Sequence, residues 1–397
     1  MAKNPVNVCL IGQKFMGRAH SNAFLKAPKF FDLPVEPVMH TVAAQDEKSL
    51  KIFAARWGWK NFSTDWRAAV ANPEIQLVDI AAQNHLHRDM AIASLEAGKH
   101  VACEKPLAGT IDDARQIRDA AKKHGKCKTF VWWSYRRAPA VALAHQLAKA
   151  GKIGRIYHVR GYYLQDWAGP DVPLIWRFDK KVAGSGSHGD LGAHIIDMAR
   201  FVTGEEITEI NGAVTETFIK ERLLPSVGSA GGIAGGAKSG RSRKGKVEVD
   251  DAALFLCRFS GGAVGSFEAT RFSTGHQNKN GVEIHGEKGA VSFNFEDMNH
   301  LMWFDNTASA KLKGWIKIMV THAPDHPYAN AWWPDAHIIG YEHTFINQVA
   351  DVMMALGGKE PVVPLADFED AFETQRVLEA VCISAAQRRP VKLSEVR

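Results

Sequence analysis

No two cysteines in this chain stand at C-x-x-C spacing. The five present, Cys9, Cys103, Cys127, Cys257 and Cys382, are scattered and odd in number, which argues for reduced thiols rather than a disulfide frame or a zinc site. Missing too is any apolar run long enough to span a membrane, and the opening MAKNPVNVCLIGQK holds too short a run for a secretory leader. Neither sign of charge dominates. The net charge is +6 over 397 residues and no helix is dense in lysine and arginine, so neither nucleic acid nor a membrane is expected as partner. There is no internal repeat. With 46% hydrophobic residues, the expectation is a cytoplasmic globular protein with material for two cores.

The first third alternates strand and helix signals. Val6–Ile11 reads as a buried strand that runs into Gly12-Gln-Lys-Phe-Met-Gly17 and then a helix. That context suits the dinucleotide fingerprint G-x-G-x-x-G, whose first and last glycines are Gly12 and Gly17. Lys14 stands in place of the middle glycine. A P-loop is excluded, because Arg18-Ala19 follow Gly17. Further strands are expected at Val38–Ala44, Leu77–Ala82, His100–Cys103 and Phe130–Trp132. Helices are expected at Glu47–Trp57 and Leu86–Ala97, and another begins at Thr110 with Asp113 completing a capping box. This rhythm predicts a parallel sheet wound on both faces, with ligands at the strands' carboxyl ends. Asp46-Glu47 after the second strand, with no arginine there for a 2′-phosphate, predict NAD over NADP; Asp46 is equally suited to cap the next helix. Glu104-Lys105-Pro106 follows the fourth strand, and the proline favours an extended Lys105.

After residue 133 the pattern changes. Short β-rich runs begin near Ile153, Ile207, Val247, Ala263, Gly281 and Ala290, and two amphipathic helices close the chain at Glu342–Leu356 and Phe368–Gln387. Residues 226–246 are rich in glycine, serine and lysine and read as a mobile loop between strands. Between the first two runs lies GSGSHGDLGAHIIDMARFVTG, residues 184–204. It predicts a helix ending at Gly204, with Asp190, His194 and Asp197 on one face. A carboxylate four residues before an imidazole suits a general base; a capping Asp190 and a half-buried His194 are the plainer alternative.

Taken in order, these motifs resemble the Gfo/Idh/MocA (glucose–fructose oxidoreductase / inositol dehydrogenase) family. The resemblance spans essentially the whole chain. It rests on Gly12 and Gly17; Asn84-His85-Leu86-His87; Glu104-Lys105-Pro106; Tyr135-Arg136-Arg137-Ala138-Pro139; and Gly186, Asp190 and His194. Leu164-Gln165-Asp166-Trp167, Trp176-Arg177 and Trp332-Trp333-Pro334 resemble the branch that oxidises sugars and cyclic polyols.

The resemblance implies an α/β protein. A Rossmann dinucleotide-binding domain (1–133) would precede an α+β domain (134–397) with a large, mainly antiparallel open sheet that binds substrate and forms a homo-oligomer, dimer or tetramer. It implies an NAD-dependent dehydrogenase that takes a hydride from a ring carbinol of a pyranose, anhydro-sugar or inositol. Lys105, Asp190 and His194 would be catalytic. Gly12, Lys14, Phe15, Met16, Gly17, Asp46, Asn84, His87, Glu104 and Lys105 would bind the cofactor, and Arg136, Tyr163, Asp166, Trp167 and Arg177 the substrate, with Asp190 and His194. Either His194 or Lys105 could take the proton. Same-fold alternatives are a redox-assisted glycosidase and a non-catalytic sugar or dinucleotide sensor. A metal site from His188, Asp190, His194 and Asp197 would leave the dinucleotide half without a role, so no metal is expected.

Overall fold

A computed structural model describes residues 3–226 and 239–396, in two compact units. The first comprises residues 1–137, 330–333 and 339–372. Its elements are β1 (Asn4–Ile11), α1 (Phe15–Phe30), β2 (Val35–Ala43), α2 (Glu47–Trp57), β3 (Asn61–Ser63), α3 (Trp66–Ala71), β4 (Leu77–Ile80), α4 (His87–Glu96), β5 (His100–Cys103), α5 (Ile111–Lys123) and β6 (Thr129–Val131). The six strands are parallel in the order β3-β2-β1-β4-β5-β6. Strand order reverses between β1 and β4, and in such sheets ligands bind beyond the carboxyl ends at that point. The strand β3 is absent from the sequence expectation because its three residues are largely exposed and present no apolar run.

The boundary expected at residue 133 is only half of the division. Residues 330–333 and 339–372 pack with the first unit, not the second. The reason is apolar: the helix Tyr341–Leu356 lays Phe345, Ile346, Val349 and Met353 into the core that holds Phe24 and Ala27 of α1. A buried charge pair fastens the same helix. Arg137, fully buried, donates from Nε to Asp351 Oδ2 (3.2 Å) and from Nη2 to the carbonyl of Pro364 (2.8 Å).

The second unit comprises residues 138–329, 334–338 and 373–397. It contains α6 (Pro139–Lys149), β7 (Ile156–Leu164), α7 (Lys180–Ala183), α8 (Ala193–Thr203), β8 (Ile207–Glu216), β9 (Glu221–Pro225), β10 (Ser239–Lys246), β11 (Ala252–Phe259), β12 (Val264–Thr270), β13 (Lys279–Gly286), β14 (Gly289–Asn294), β15 (His300–Asp305), β16 (Trp315–Met319) and β17 (Val391–Lys392). Nine strands form one sheet, β16-β15-β14-β13-β7-β12-β11-β8-β17. Every neighbouring pair in it is antiparallel except β12 with β7. Helices α6 and α8 pack on it, and β11 alternates buried Ala253, Phe255, Cys257 and Phe259 with exposed Leu254, Leu256 and Arg258. Among the described residues, one side of β11 is core and the other is exposed.

The stretch 226–246 is not one loop. Ser239–Lys246 is a strand paired antiparallel with Glu221–Pro225, because the chain after Ser239 is drawn into a ladder its composition does not announce. Residues 227–238 of that expected loop lie outside the described residues.

Asp351→Ala removes the carboxylate from the fully buried Arg137 guanidinium. The expected cost is about 3–5 kcal/mol of stability, read as a lower urea midpoint at unchanged slope; a loss below about 1 kcal/mol would mean that the pair is solvated or compensated.

Candidate active site

The turn after β1 is built for close backbone approach. Gly12 has φ +128°, and a Cβ there would fall 2.4 Å from the Ala81 carbonyl oxygen at the end of β4. A Cβ on Gly17 would fall 2.3 Å from the Gly12 carbonyl oxygen. Both outer glycines of the fingerprint are therefore required by geometry. Lys14 is the exposed N-cap residue of α1; no side chain caps that helix and no acid lies in its first turn. A helix start of this kind, with Lys14 and Arg18 beside it, fits the pyrophosphate of a dinucleotide. Phe15 is exposed and its ring lies parallel to that of Tyr341 at 6.3 Å, while Met16 is half-buried against the apolar core.

At the end of β2, Asp46 caps α2. Its Oδ1 accepts the Ser49 N–H (2.7 Å) and the Ser49 hydroxyl, bonds that hold the carboxyl below its usual range. Gln13 Nε2 donates to the same hydroxyl (3.0 Å), which ties the first turn to the second.

Beyond β4, Asn84 opens a short helical turn and is half-buried. His87 differs from its expected role as a cofactor contact. It is fully buried, with Nδ1 3.1 Å from the Pro106 carbonyl and Nε2 3.2 Å from that of Ala82, so it braces two strand-end segments against each other. Burial pushes its pKa down, which leaves one ring proton for the two carbonyls. Glu104 also turns inward: it is buried, Oε1 meets His20, and Oε2 accepts the Lys105 N–H (3.0 Å). Lys105 follows at the end of β5, joined to Pro106 by a cis peptide.

In the second unit, residues 188–192 make a wide π-type turn that runs directly into α8, which ends at Gly204 with φ +68°. Asp250 sets that turn: its carboxylate accepts the N–H groups of Gly186 (2.8 Å) and His188 (2.7 Å) and the Ser187 hydroxyl (2.7 Å). Asp190 Oδ2 accepts from Arg271 Nη2 (2.8 Å) and lies 3.6 Å from Arg177 Nε. His194, 9% exposed, lies with its ring 5.8 Å from that of Tyr163. Asp197, on the same helix, is buried.

The residues expected to bind substrate divide. Tyr163 Oη donates to Asn278 Oδ1 (2.9 Å), Gln165 Nε2 donates to that same oxygen (2.8 Å), and Trp167 Nε1 donates to Gln165 Oε1 (2.7 Å). Tyr163 and Trp167 are thus linked through Gln165 of the same motif and through Asn278, which the sequence did not single out. Asp166 Oδ2 accepts the Gly275 N–H (3.1 Å). Arg177 lies over the Trp176 ring at 4.3 Å. Arg136 belongs to the first unit, where it is buried and donates to Asp370 Oδ2 (2.7 Å), so that nitrogen is committed to an internal carboxylate.

Residues 6–131 match the oxidoreductase family with the NAD-binding Rossmann fold, and residues 141–292 match the GFO/IDH/MocA C-terminal domain. The levoglucosan dehydrogenase of Pseudarthrobacter phenanthrenivorans is 41% identical over 394 residues, 98% of this chain and 99% of that one. The chain belongs to the Gfo/Idh/MocA oxidoreductase family. The solved structure of levoglucosan dehydrogenase with NADH agrees with a TM-score of 0.90 at 40% identity, over 98% of this chain and 99% of that one. An oxidoreductase domain protein from Kribbella flavida agrees with a TM-score of 0.91 at 44% identity, over 99% and 100%. This Gfo/Idh/MocA member is an NAD-dependent oxidoreductase.

Sequence signals for the residues missed within this family site are uneven. Asp79, whose Oδ2 lies 2.8 Å from Nδ1 of the His20 that meets Glu104, is visible as a lone charge in the four-residue buried strand Leu77–Ile80. Arg271 gives no local sign, since it reaches Asp190 across 81 positions of chain.

Gly12→Ala places a Cβ against a backbone oxygen at a φ that alanine rarely adopts. It is expected to cost more than about 1 kcal/mol of stability and to weaken NADH binding, measured by thermal unfolding and by NADH fluorescence titration. An unchanged Tm and Kd would mean the turn relaxes freely.

Proposed function

We propose that this NAD-dependent sugar dehydrogenase oxidises one ring hydroxyl of levoglucosan or a closely similar neutral cyclic sugar to a ketone. The full-length likeness to levoglucosan dehydrogenase carries that choice, and a solved relative at 40% identity is described as a complex with NADH and levoglucosan. The linked Tyr163, Asn278, Gln165 and Trp167 supply the mixture of polar edges and aromatic faces that a sugar needs.

NAD, when bound, supplies the hydride acceptor. Gly12, Lys14, Phe15, Met16 and Gly17 would hold its phosphates, with Asp46 and Asn84 at the neighbouring strand ends. His194 takes the proton of the reacting hydroxyl, the general-base role an imidazole fills. Lys105 donates to the oxygen as negative charge develops on it. Asp190, held as an acceptor by Arg271, binds a neighbouring hydroxyl. Tyr163, Asp166, Trp167 and Arg177 complete the sugar contacts.

The open sheet face supports a homo-oligomer. Leu254 and Val214 are cross-strand partners, 47% and 62% exposed, and Leu256 and Val264 extend the patch. Leu254, Leu256 and Val214 line a groove of about 650 Å³ together with Arg389 and Pro390. A second copy covers this face in the proposed assembly. The five free thiols suit the cytoplasm.

Two experiments test these assignments. With NAD⁺ and a panel of levoglucosan, glucose, a methyl glucoside and myo-inositol, NADH should accumulate fastest with levoglucosan. Release of an aglycone without net NADH, or activity on short-chain alcohols alone, would overturn the substrate assignment. His194→Asn should lower kcat by about 10² to 10⁴ and lose the acidic limb of the pH–rate profile, and Lys105→Ala should lower kcat by about 10² to 10³. If the acidic limb survives in His194→Asn and vanishes in Lys105→Ala, the two roles are exchanged.

For the assembly, Leu254→Glu with Leu256→Glu should reduce the mass measured by light scattering toward 43.7 kDa. An unchanged mass would place the subunit contact elsewhere.

A further inference from the structure

The first unit buries a charged cluster that the proposed reaction does not use. His20, on α1 three residues after Gly17, is fully buried. Its Nδ1 lies 2.8 Å from Asp79 Oδ2 and its Nε2 lies 2.9 Å from Glu104 Oε1. Trp132 Nε1 donates to the other oxygen of Asp79 (2.7 Å), and its ring lies 4.0 Å from the imidazole, centroid to centroid. Phe345 closes a further side at 5.7 Å. Both ring nitrogens face carboxylate oxygens, and both can donate only if the ring is protonated.

The surroundings favour that state. Burial opposes a charged ring, but Asp79 and then Glu104 outweigh it, and the pKa rises to about 9. Cys9 on β1 and Cys103 on β5 are pushed upward by burial, Cys9 to about 12, and buried His87 is pushed down. Those three neighbours are neutral at pH 7, so His20 supplies the positive charge between Asp79 and Glu104. The second oxygen of Glu104 then accepts the backbone N–H of Lys105 (3.0 Å).

We propose that His20 is a positioning residue: its imidazolium locks Glu104, and through the second Glu104 oxygen it fixes Lys105 at the end of β5. This rests on the assignment of Lys105 to the reacting oxygen. Without the imidazolium, two buried carboxylates lose the cation between them and Glu104 loses its orientation. Lys105 is then displaced from the position from which it stabilises charge. A shift of about 1 Å in such a group can cost on the order of 10² in rate.

The test uses the full chain, NAD⁺ and the sugar that gives the highest rate in the panel above. His20→Gln should lower kcat at least tenfold while the NADH Kd, from fluorescence titration, changes less than threefold. Adding Asp79→Asn removes one of those carboxylates and should restore at least part of kcat. In a Lys105→Ala background, His20→Gln should change kcat less than twofold. If Lys105→Ala is slow but His20→Gln is as fast as wild type, or lowers kcat by the same factor in both backgrounds, the proposal is overturned. If Lys105→Ala itself runs at the wild-type rate, the catalytic assignment of Lys105 fails instead. Should His20→Gln not fold, Glu104→Gln serves. It keeps an oxygen for the Lys105 N–H but halves the anionic partners of His20, so an alkaline limb of kcat near pH 9 should move to lower pH. A limb that stays in place would overturn the proposal.

Discussion

A parallel sheet covered on both faces has no wet surface along its strands, so polar chemistry is confined to the strand ends. All four residues of β4 are buried, and the one charge among them, Asp79, is tolerated only because His20 and Trp132 reach it. Breaking a buried pair of this kind costs about 3–5 kcal/mol in general. The same pressure shapes the ends of the strands. Gly12 and Gly17 bring backbone against backbone, His87 binds two carbonyls, and Glu104 faces inward so that Lys105, the next residue, sits where the strand stops.

The second unit solves a different problem. Its nine-stranded sheet has one covered face, and the strict alternation in β11 is the mark of that asymmetry. Charge is nevertheless carried into its interior by arginine. Arg222 donates to the carbonyls of Ala168, Gly169 and Val172 and stacks on Phe178 at 4.1 Å. A guanidinium suits this work because its planar fork meets several acceptors while its faces lie against rings. The segment that carries Asp166 and Trp167 is thereby held by a buried cation rather than by regular secondary structure.

How much of this was legible in the sequence depends on the range of the interaction. Local signals translated well: the strand–turn–helix at Val6–Gly17, the Thr110 cap on α5, and the glycine closing α8. The Gfo/Idh/MocA motifs gave the order of parts, and with it the oxidoreductase class. Long-range pairings were invisible. Nothing near Tyr163 points to Asn278, nothing near Asp190 points to Arg271, and the short exposed β3 has no apolar pattern to betray it. The apolar face of Tyr341–Leu356 was visible as a face, but a helix pattern does not say which core it enters.

The Asp190–His194 spacing shows that a local pattern gives only part of a residue's surroundings. Four residues apart on a regular helix, the carboxylate would be a natural anchor for the ring. Here a change from a wide turn to α8 falls between the two positions, and the carboxylate also accepts from Arg271, whose side chain is 1% exposed, with Arg177 nearby. A carboxylate compensated by a buried guanidinium is fixed in direction and ready to accept from a third group, since two oxygens offer about four lone-pair sites. This suits the proposed division, in which Asp190 orients hydroxyl groups of the sugar and the ring of His194, packed beside Tyr163, moves the proton. On that proposal the arginines are as much a part of substrate recognition as Asp190 itself, because they set which way its oxygens point.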